Sequence, residues 1–470
     1  AKSHVDEQEI TFGSDEVPLK QTKTPMDSTK SNANLKEDEI DVNNYSFESE
    51  RAPLNNGDDD RNQFGTGITT KYRSEEAIKV SDYKPLRPML NISNTITSLM
   101  FDPLRGFGVV GEVGLTDMLE NHRLNAFVFG KFDLRTSNMI FEYEYLKKRI
   151  DYKFKYEKQR LYLSDSNNIT QKSGLDKLEM SLIYPLSTTA KLSFTPFGLT
   201  ANMTTISPPG YHDDKRNYFL GGRVELVYDN TITTGMNMTE GTRIRLTSDN
   251  YMGTKEKNTS FSSIEADIRN YKKVHREIIF ATRLSTGTFY GKGAPNYLLG
   301  GLDNWAFAPD PVILNKESPL YFGPNVDSRQ FLFNRYVTNL RGFNYSQQSG
   351  KSHLLFNAEL RIPIVKYIYK GLINSEFLRN FQLVCFYDIG SAWTGTNPFN
   401  SENSFNTVTI DKGNTFKAKI INFKNPFLSS FGPGIHTHAM GYYIKFDVAW
   451  PMQDYEYKKP RFMVSLGYDF

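Results

Sequence analysis

From Pro88 to the C-terminus, apolar and polar residues alternate one by one. Along Asp151-Tyr152-Lys153-Phe154-Lys155-Tyr156-Glu157, the three rings take one face while Lys153, Lys155 and Glu157 take the other. Phe141, Tyr143 and Tyr145 alternate with Glu142 and Glu144, and Ile264, Ala266 and Ile268 alternate with Glu265, Asp267 and Arg269. Near the end, Ile444, Phe446, Val448 and Trp450 alternate with Lys445, Asp447 and Ala449. A period of two belongs to a strand, whose successive side chains point to opposite faces. The sequence shows no helical stripe between these segments.

The pattern predicts sixteen strands, over about 89–99, 106–117, 123–134, 138–147, 150–162, 176–185, 190–201, 217–229, 241–251, 259–271, 277–289, 352–364, 381–393, 429–438, 441–451 and 460–470. Their connections mostly alternate in length. Met118–His122, Lys147–Arg149 and Leu186–Thr189 are tight, whereas Leu163–Leu175, Asn202–Arg216, Tyr290–Lys351 and Thr394–Leu428 are long. Short turns on one rim and long loops on the other mark an outer-membrane barrel. A sandwich would not need charges so regularly on its second face, and a propeller would repeat every 40 to 50 residues or so, which this chain does not do. No run approaches 18 apolar residues, which excludes a transmembrane helix but not a barrel. The fold class read from the pattern is all-β: a sixteen-stranded antiparallel transmembrane β-barrel over 89–470, with a polar, water-filled lumen.

Composition agrees once the alternation is considered. The chain is 39% hydrophobic with a mean hydropathy of −0.51, an average that hides a lipid-facing side. The 34 Phe and 27 Tyr suit pleated strands and interfacial girdles. Residues 1–88 read differently. Residues 1–62 carry 7 Lys and Arg against 15 Asp and Glu, a net of −8, so with a total of +3 the remainder carries +11. Such a segment buries too little apolar area to offset its ordering entropy, and 1–88 reads as an acidic, largely disordered linker or tail. Asp58-Asp59-Asp60 reads as a solvated charge run, since spaced calcium ligands are absent. A net charge of +3 gives no reason to expect nucleic acid, and the single cysteine, Cys385, excludes an internal disulfide framework and a Cys-based metal site. The chain opens Ala-Lys-Ser without Met, which reads as a mature form or a piece of a longer protein.

Candidate chemistry gathers in the last third. Leu340-Arg341-Gly342-Phe343 stands near the end of the longest loop, which falls between strands eleven and twelve. On 352–364, Asn357, Glu359 and Arg361 share a face, and on 381–393 Asp388 shares a face with Gln382, Val384 and Phe386. With those faces inward, two carboxylates sit in the lumen, and a loop folded back into it would bring Arg341 to them. A guanidinium can bridge two carboxylates in a planar arrangement that Lys cannot copy. Gly342 removes bulk where the loop tip meets the wall, and Phe343 can pack on it. The ending Phe462-Met463-Val464-Ser465-Leu466-Gly467-Tyr468-Asp469-Phe470 puts Phe462, Val464, Leu466, Tyr468 and Phe470 outward, and Met463, Ser465 and Asp469 inward. The first strand, around Leu90–Ile96, is more polar.

Four segments together resemble the BamA/TpsB superfamily of outer-membrane assembly and secretion barrels. They are Leu340-Arg341-Gly342-Phe343, Glu359-Leu360-Arg361-Ile362-Pro363, Phe386-Tyr387-Asp388-Ile389-Gly390 and the terminal strand. The resemblance implies that Arg341, Gly342 and Phe343 lock the sixth external loop in the lumen against Glu359 and Asp388. It also implies that Phe462, Leu466, Tyr468 and Phe470 belong to a C-terminal signal read by strand addition, and that the seam between first and last strands opens sideways. Asp41–Phe47 and Leu299-Gly300-Gly301-Leu302-Asp303-Asn304-Trp305 resemble segments of large bacterial proteins in which a TolB-like propeller precedes such a barrel. POTRA domains, usual in the superfamily, have no matching pattern in the first 88 residues, so delivery would fall to another domain or partner.

No G-x-S-x-G elbow, P-loop or H-E-x-x-H occurs, so no catalytic role and no cofactor is expected. His436 and His438 share a strand face without an evident third ligand, and no metal is expected there. Tyr211-His212-Asp213-Asp214 reads as a solvated loop. The expectation is a bacterial outer-membrane barrel that inserts or translocates proteins. Its partners would be outer-membrane lipids, client outer-membrane or secreted proteins, and a periplasmic domain or lipoproteins. A passive porin or transporter, or a membrane anchor for a periplasmic domain, is the alternative.

Overall fold

The computed structural model describes residues 90–164, 170–207, 214–254, 257–309, 328–369, 371–400, 407–411, 417–421 and 424–467. The acidic segment 1–88, with Asp58–Asp60 and Asp41–Phe47, lies outside the described residues, as do Tyr211–Asp213, Tyr468 and Phe470.

Sixteen wall strands follow one another around a nearly closed antiparallel barrel. They are β1 (Asn91–Asp102), β2 (Gly106–Thr116), β3 (His122–Lys131), β4 (Ser137–Tyr145), β5 (Asp151–Ser164), β6 (Thr170–Pro185), β7 (Ala190–Ser207), β8 (Lys215–Asp229), β9 (Met238–Gly253), β10 (Phe261–His275), β11 (Ile278–Tyr290), β12 (Ser352–Ile362), β13 (Gln382–Trp393), β14 (Leu428–Ala439), β15 (Tyr442–Gln453) and β16 (Arg461–Leu466). Each pairs with its sequence neighbour from β1–β2 to β15–β16. Alternation becomes wall geometry directly. On β12, His353, Leu355, Asn357, Glu359 and Arg361 are buried in the lumen while Phe356 is exposed on the outer face. Phe141, Phe154, Leu178, Phe194, Leu246, Ile264, Phe446 and Phe462 are likewise exposed. Such a band of exposed apolar side chains is stable only against lipid. The tight β14–β15 turn is Met440-Gly441 with φ of 54° and 81°, the mirror-image turn that suits strand twist.

The structure departs from the sequence reading in four places. Strand β6 starts at Thr170, not near 176, and β7 runs to Ser207. There the pairing Ser164↔Thr170 continues above any apolar alternation, because ladder hydrogen bonds need no hydrophobic residue. The loop after β13 contains a further hairpin, Thr407–Asp411 with Lys417–Ile421. On the short-turn rim, the connection from β8 to β9 includes a strand, Ile232–Gly235, that pairs back on β9, and the β12–β13 connection carries two short helices, Ile364–Ile368 and Glu376–Arg379. Lastly, the lumen is not polar throughout. Toward the long-loop rim, Phe197, Phe219, Tyr251, Phe261 and Phe289 point inward and pack with Tyr297, Leu340 and Phe343 of the long loop. The loop's apolar underside excludes water there, and the wall supplies matching apolar positions.

Among the described residues, no ladder joins β1 to β16. A seventeenth, two-residue strand from the long loop, Trp305–Ala306, pairs antiparallel with β16 at Ser465 and Val464.

Candidate functional site

The long loop between β11 and β12 turns into the barrel and is built on its own small sheet. Tyr297–Leu299 pairs with Arg335–Val337 on one side and Gln348–Gly350 on the other. Leu340 N–H donates to the Gly301 carbonyl at 3.1 Å. Asp303 accepts from Thr338 Oγ1 at 2.5 Å and from Asn339 Nδ2 at 3.1 Å. Asn339 has φ 71°, the left-handed conformation that Asn tolerates, and it turns the chain so that Arg341 points at the wall.

Arg341 is buried, and its guanidinium forks onto Asp388 of β13: Nε donates to Oδ2 at 2.7 Å and Nη2 to Oδ1 at 2.8 Å. Nη1 donates to Glu359 Oε1 of β12 at 2.9 Å, and the Arg341 N–H to Asp388 Oδ2 at 3.3 Å. The guanidinium carbon lies 3.7 Å from the centre of the Phe386 ring. Register makes this possible, because Asn357 stands opposite Asp388 in the β12–β13 ladder and Glu359 opposite Phe386. Glu359, Asp388, Asn357 and Phe386 therefore form one inward-facing patch. Asn357 Nδ2 donates to Asp388 Oδ1 at 2.8 Å and to the Asn339 carbonyl at 2.5 Å, so the wall also holds the loop backbone.

Gly342 has φ 85°, and a Cβ there would come within 3.0 Å of Pro451 and 3.3 Å of Ala449, both on β15. Only glycine fits that turn and that approach. Gly342 N–H points at the Met463 sulfur of β16, 3.0 Å away. Arg461 of β16 donates to the Gly342 carbonyl at 3.2 Å and to Asn344 Oδ1 at 2.9 Å. Phe343 is buried in the apolar lumen cluster. One turn of loop thus touches β12, β13, β15 and β16 together.

Several members of this cluster escaped the sequence reading. Asp447 of β15 lies 3.8 Å from Arg341 Nη1 and accepts from His436 Nε2 of β14 at 3.0 Å. Its place on the Lys445/Asp447 face was visible, but not that this stretch of β15 faces the loop tip. Arg361 donates to Glu359 Oε2 at 2.9 Å and reaches the Asn237 carbonyl at 3.3 Å. Asn237 belongs to the β8–β9 connection and donates to Tyr443 Oη at 3.1 Å, and Tyr443 donates to Gln382 Oε1 at 3.0 Å. A continuous polar chain therefore runs from the long-loop tip to a connection of the opposite rim. Within this set Arg341, Arg361 and Lys445 stand against Glu359, Asp388 and Asp447, three buried cations balanced by three buried anions. His438, two residues further along the same face of β14, pairs with Glu376 at 3.1 Å instead.

On the terminal strand, Phe462 is exposed on the outer face, Leu466 half-buried, and Met463 and Ser465 buried inward. Leu466 N–H donates to the Asn304 carbonyl at 3.2 Å.

The Omp85 superfamily domain matches residues 129–470. No curated protein matches. Among solved structures, BamA from Haemophilus ducreyi lacking POTRA domains 1–3 is similar at a TM-score of 0.52 and 12% identity, covering 81% of this chain and 71% of that one. CdiB from Acinetobacter baumannii gives a TM-score of 0.41 at 13% identity, over 81% of this chain and 60% of that chain. CdiB from Escherichia coli gives 0.43 at 9% identity, over 82% and 67%. The likeness to BamA is one of fold.

Proposed function

This chain belongs to the Omp85 superfamily, and on that premise we propose that it inserts or translocates proteins across the bacterial outer membrane by means of a loop locked inside its own lumen. The long-loop rim then faces outward and the short-turn rim faces the periplasm. The observation that carries this reading is the seat of Arg341 on Asp388 and Glu359, beside a wall that, among the described residues, its own first and last strands do not close. A porin needs a constriction but has no use for an incomplete wall. A device that passes strands into lipid needs a place where the wall can part, and a fixed loop to hold the remaining strands in register when it does.

Arg341 is the clasp, Gly342 lets the clasp reach β15, and Phe343 seals the apolar part of the lumen. The terminal strand, with Phe462, Leu466, Tyr468 and Phe470, is the segment by which the barrel itself is recognised for assembly. Its partners are outer-membrane lipids, client outer-membrane or secreted proteins, and a periplasmic domain or lipoprotein that delivers them. Arg341→Ala in the chromosomal copy tests this reading. Client levels in the outer membrane fall if the loop seat serves assembly or secretion. Unchanged client levels with an altered single-channel conductance identify a porin instead. Normal clients with unchanged conductance leave only an anchor.

A further inference from the structure

The seam holds a feature that the clasp does not explain. Leu302-Asp303-Asn304-Trp305-Ala306-Phe307 leaves the loop sheet and enters the space between β1 and β16. Trp305 and Ala306 occupy the edge of β16, opposite Ser465 and Val464. Asn304 touches both sides: its Oδ1 accepts from the Phe101 N–H of β1 at 2.7 Å, and its Nδ2 donates to the Leu466 carbonyl of β16 at 3.0 Å. Its backbone sits at φ 48°, which Asn adopts more readily than most residues. The Phe101 and Phe307 rings lie 6.4 Å apart across the same gap. On the inner side, Trp305 is buried against Tyr345 at 5.5 Å between ring centres, and Tyr345 Oη donates to the Leu302 carbonyl at 2.6 Å.

We infer that Leu302–Phe307 is a resident strand that occupies the docking edge of β16 and, through Asn304, clips the barrel shut. The edge it covers takes an extended, antiparallel peptide by main-chain hydrogen bonding. The resident strand carries rings at alternate positions, Trp305 packed on Tyr345 and Phe307 beside Phe101, and a strand that replaces it meets Tyr345 and Phe101 in turn. The partner that fits is therefore an amphipathic β-strand with aromatic residues at every second position. A client strand gains this edge only when the resident strand leaves it. The clip is also tied to the clasp, since Asp303 binds Thr338 and Asn339 while the Asn339 carbonyl is held by Asn357. The role of the client rests on the function proposed above; closure of the seam does not.

The test has two arms, chosen so that the two claims fail separately. In a Cys385→Ser background, Ile96→Cys on β1 and Phe446→Cys on β15, both exposed on the outer face, carry spin labels in lipid nanodiscs. Asn304→Ala raises the open fraction in the distance distribution roughly tenfold, as the loss of about two bridging hydrogen bonds would. Asn304→Asp keeps the acceptor for Phe101, loses the donor to Leu466 and falls between. A distribution unchanged in both variants overturns the clip, and heat-modifiable gel migration shows that each has folded. In the second arm, Ala306→Cys with Val464→Cys in the same background forms a disulfide that pins the resident strand. The oxidised barrel inserts a urea-unfolded eight-stranded barrel into liposomes more than tenfold slower than the reduced one. Equal rates, with an active wild type, overturn the claim that the strand must leave. An inactive wild type sinks the insertion reading, and the distance arm then decides the seam claim by itself.

Discussion

Arg341→Ala removes the most concentrated set of interactions between loop and wall. The side chain contributes three charge-assisted hydrogen bonds, two to Asp388 and one to Glu359, together with its stacking on Phe386. After truncation Glu359 keeps Arg361, but among the described residues Asp388 keeps the Asn357 amide and the N–H of residue 341 and no cation bonded to it. A buried carboxylate is left without its cation. Breaking a buried pair in this way costs about 3–5 kcal/mol, against about 0–1 kcal/mol for a surface pair. The ratio of seated to released loop should fall by roughly 10² to 10³ or more. Chymotrypsin reads it directly, because Phe343 and Tyr345 are buried when the loop is seated and become cleavable when it is free. Cleavage follows the open population when reseating is faster than cutting. The cut after Phe343 or Tyr345 should accelerate by at least about a hundredfold in folded protein, with the wall intact. In a cycle with Asp388→Ala, the double variant should be less impaired than the sum of the single ones, by up to about 3 kcal/mol. A loop no more cleavable in Arg341→Ala than in wild type, or two effects that simply add, would refute the reasoning.

Further expectations attach to neighbouring residues. Gly342→Ala must place a Cβ 3.0 Å from Pro451 at φ 85°, a backbone cost of about 1–2 kcal/mol before any clash, and should release the loop in the same protease assay while leaving strand content in circular dichroism unchanged. Phe386→Leu keeps the bulk but removes the ring beneath Arg341, with an expected loss of about 0.5–2 kcal/mol of loop seating. Asn237→Ala cuts the link between Arg361 and Tyr443. Hydrogen exchange of the β8–β9 connection should quicken by about tenfold, the equivalent of about 1–2 kcal/mol, while the chymotrypsin sites at the loop tip stay protected.

The wall was legible because lipid outside and polar groups inside impose period two on every strand, and a ring of sixteen such strands with one outsized loop leaves little choice of fold. Parity grouped Glu359 with Asn357 and Arg361, and Asp388 with Gln382, Val384 and Phe386, the inward sense of those faces being a condition, and Arg341 was visible as a charge beside a glycine near the end of a long loop. The rest depended on how the strands come around the barrel. Asp447 joins the cluster only because β15 brings that level of its inner face to the loop tip, a matter of stagger that no single strand reveals. Asn237 sits in a connection whose sequence, Asn230-Thr231-Ile232-Thr233-Thr234-Gly235-Met236-Asn237, reads as an ordinary turn and gives no sign that it meets Arg361. The inward rings of Phe197, Phe219 and Phe261 have the same alternation as outward ones, and parity cannot tell the faces apart until the loop's apolar underside is placed against them. Asn304 belonged to a segment that stood out by resemblance, with no local pattern to connect it to strands that begin and end the barrel.

The central claim, that this barrel moves other proteins into or across the membrane with its loop seated, is tested most directly by reconstitution. The purified protein in liposomes is given a urea-unfolded outer-membrane protein, and the folded, protease-protected client is followed over time beside empty liposomes and the Arg341→Ala barrel. The account predicts faster folding with the wild-type barrel than without it, and loss of that gain in the variant. Ion conductance through the wild-type barrel with no acceleration of client folding would contradict it.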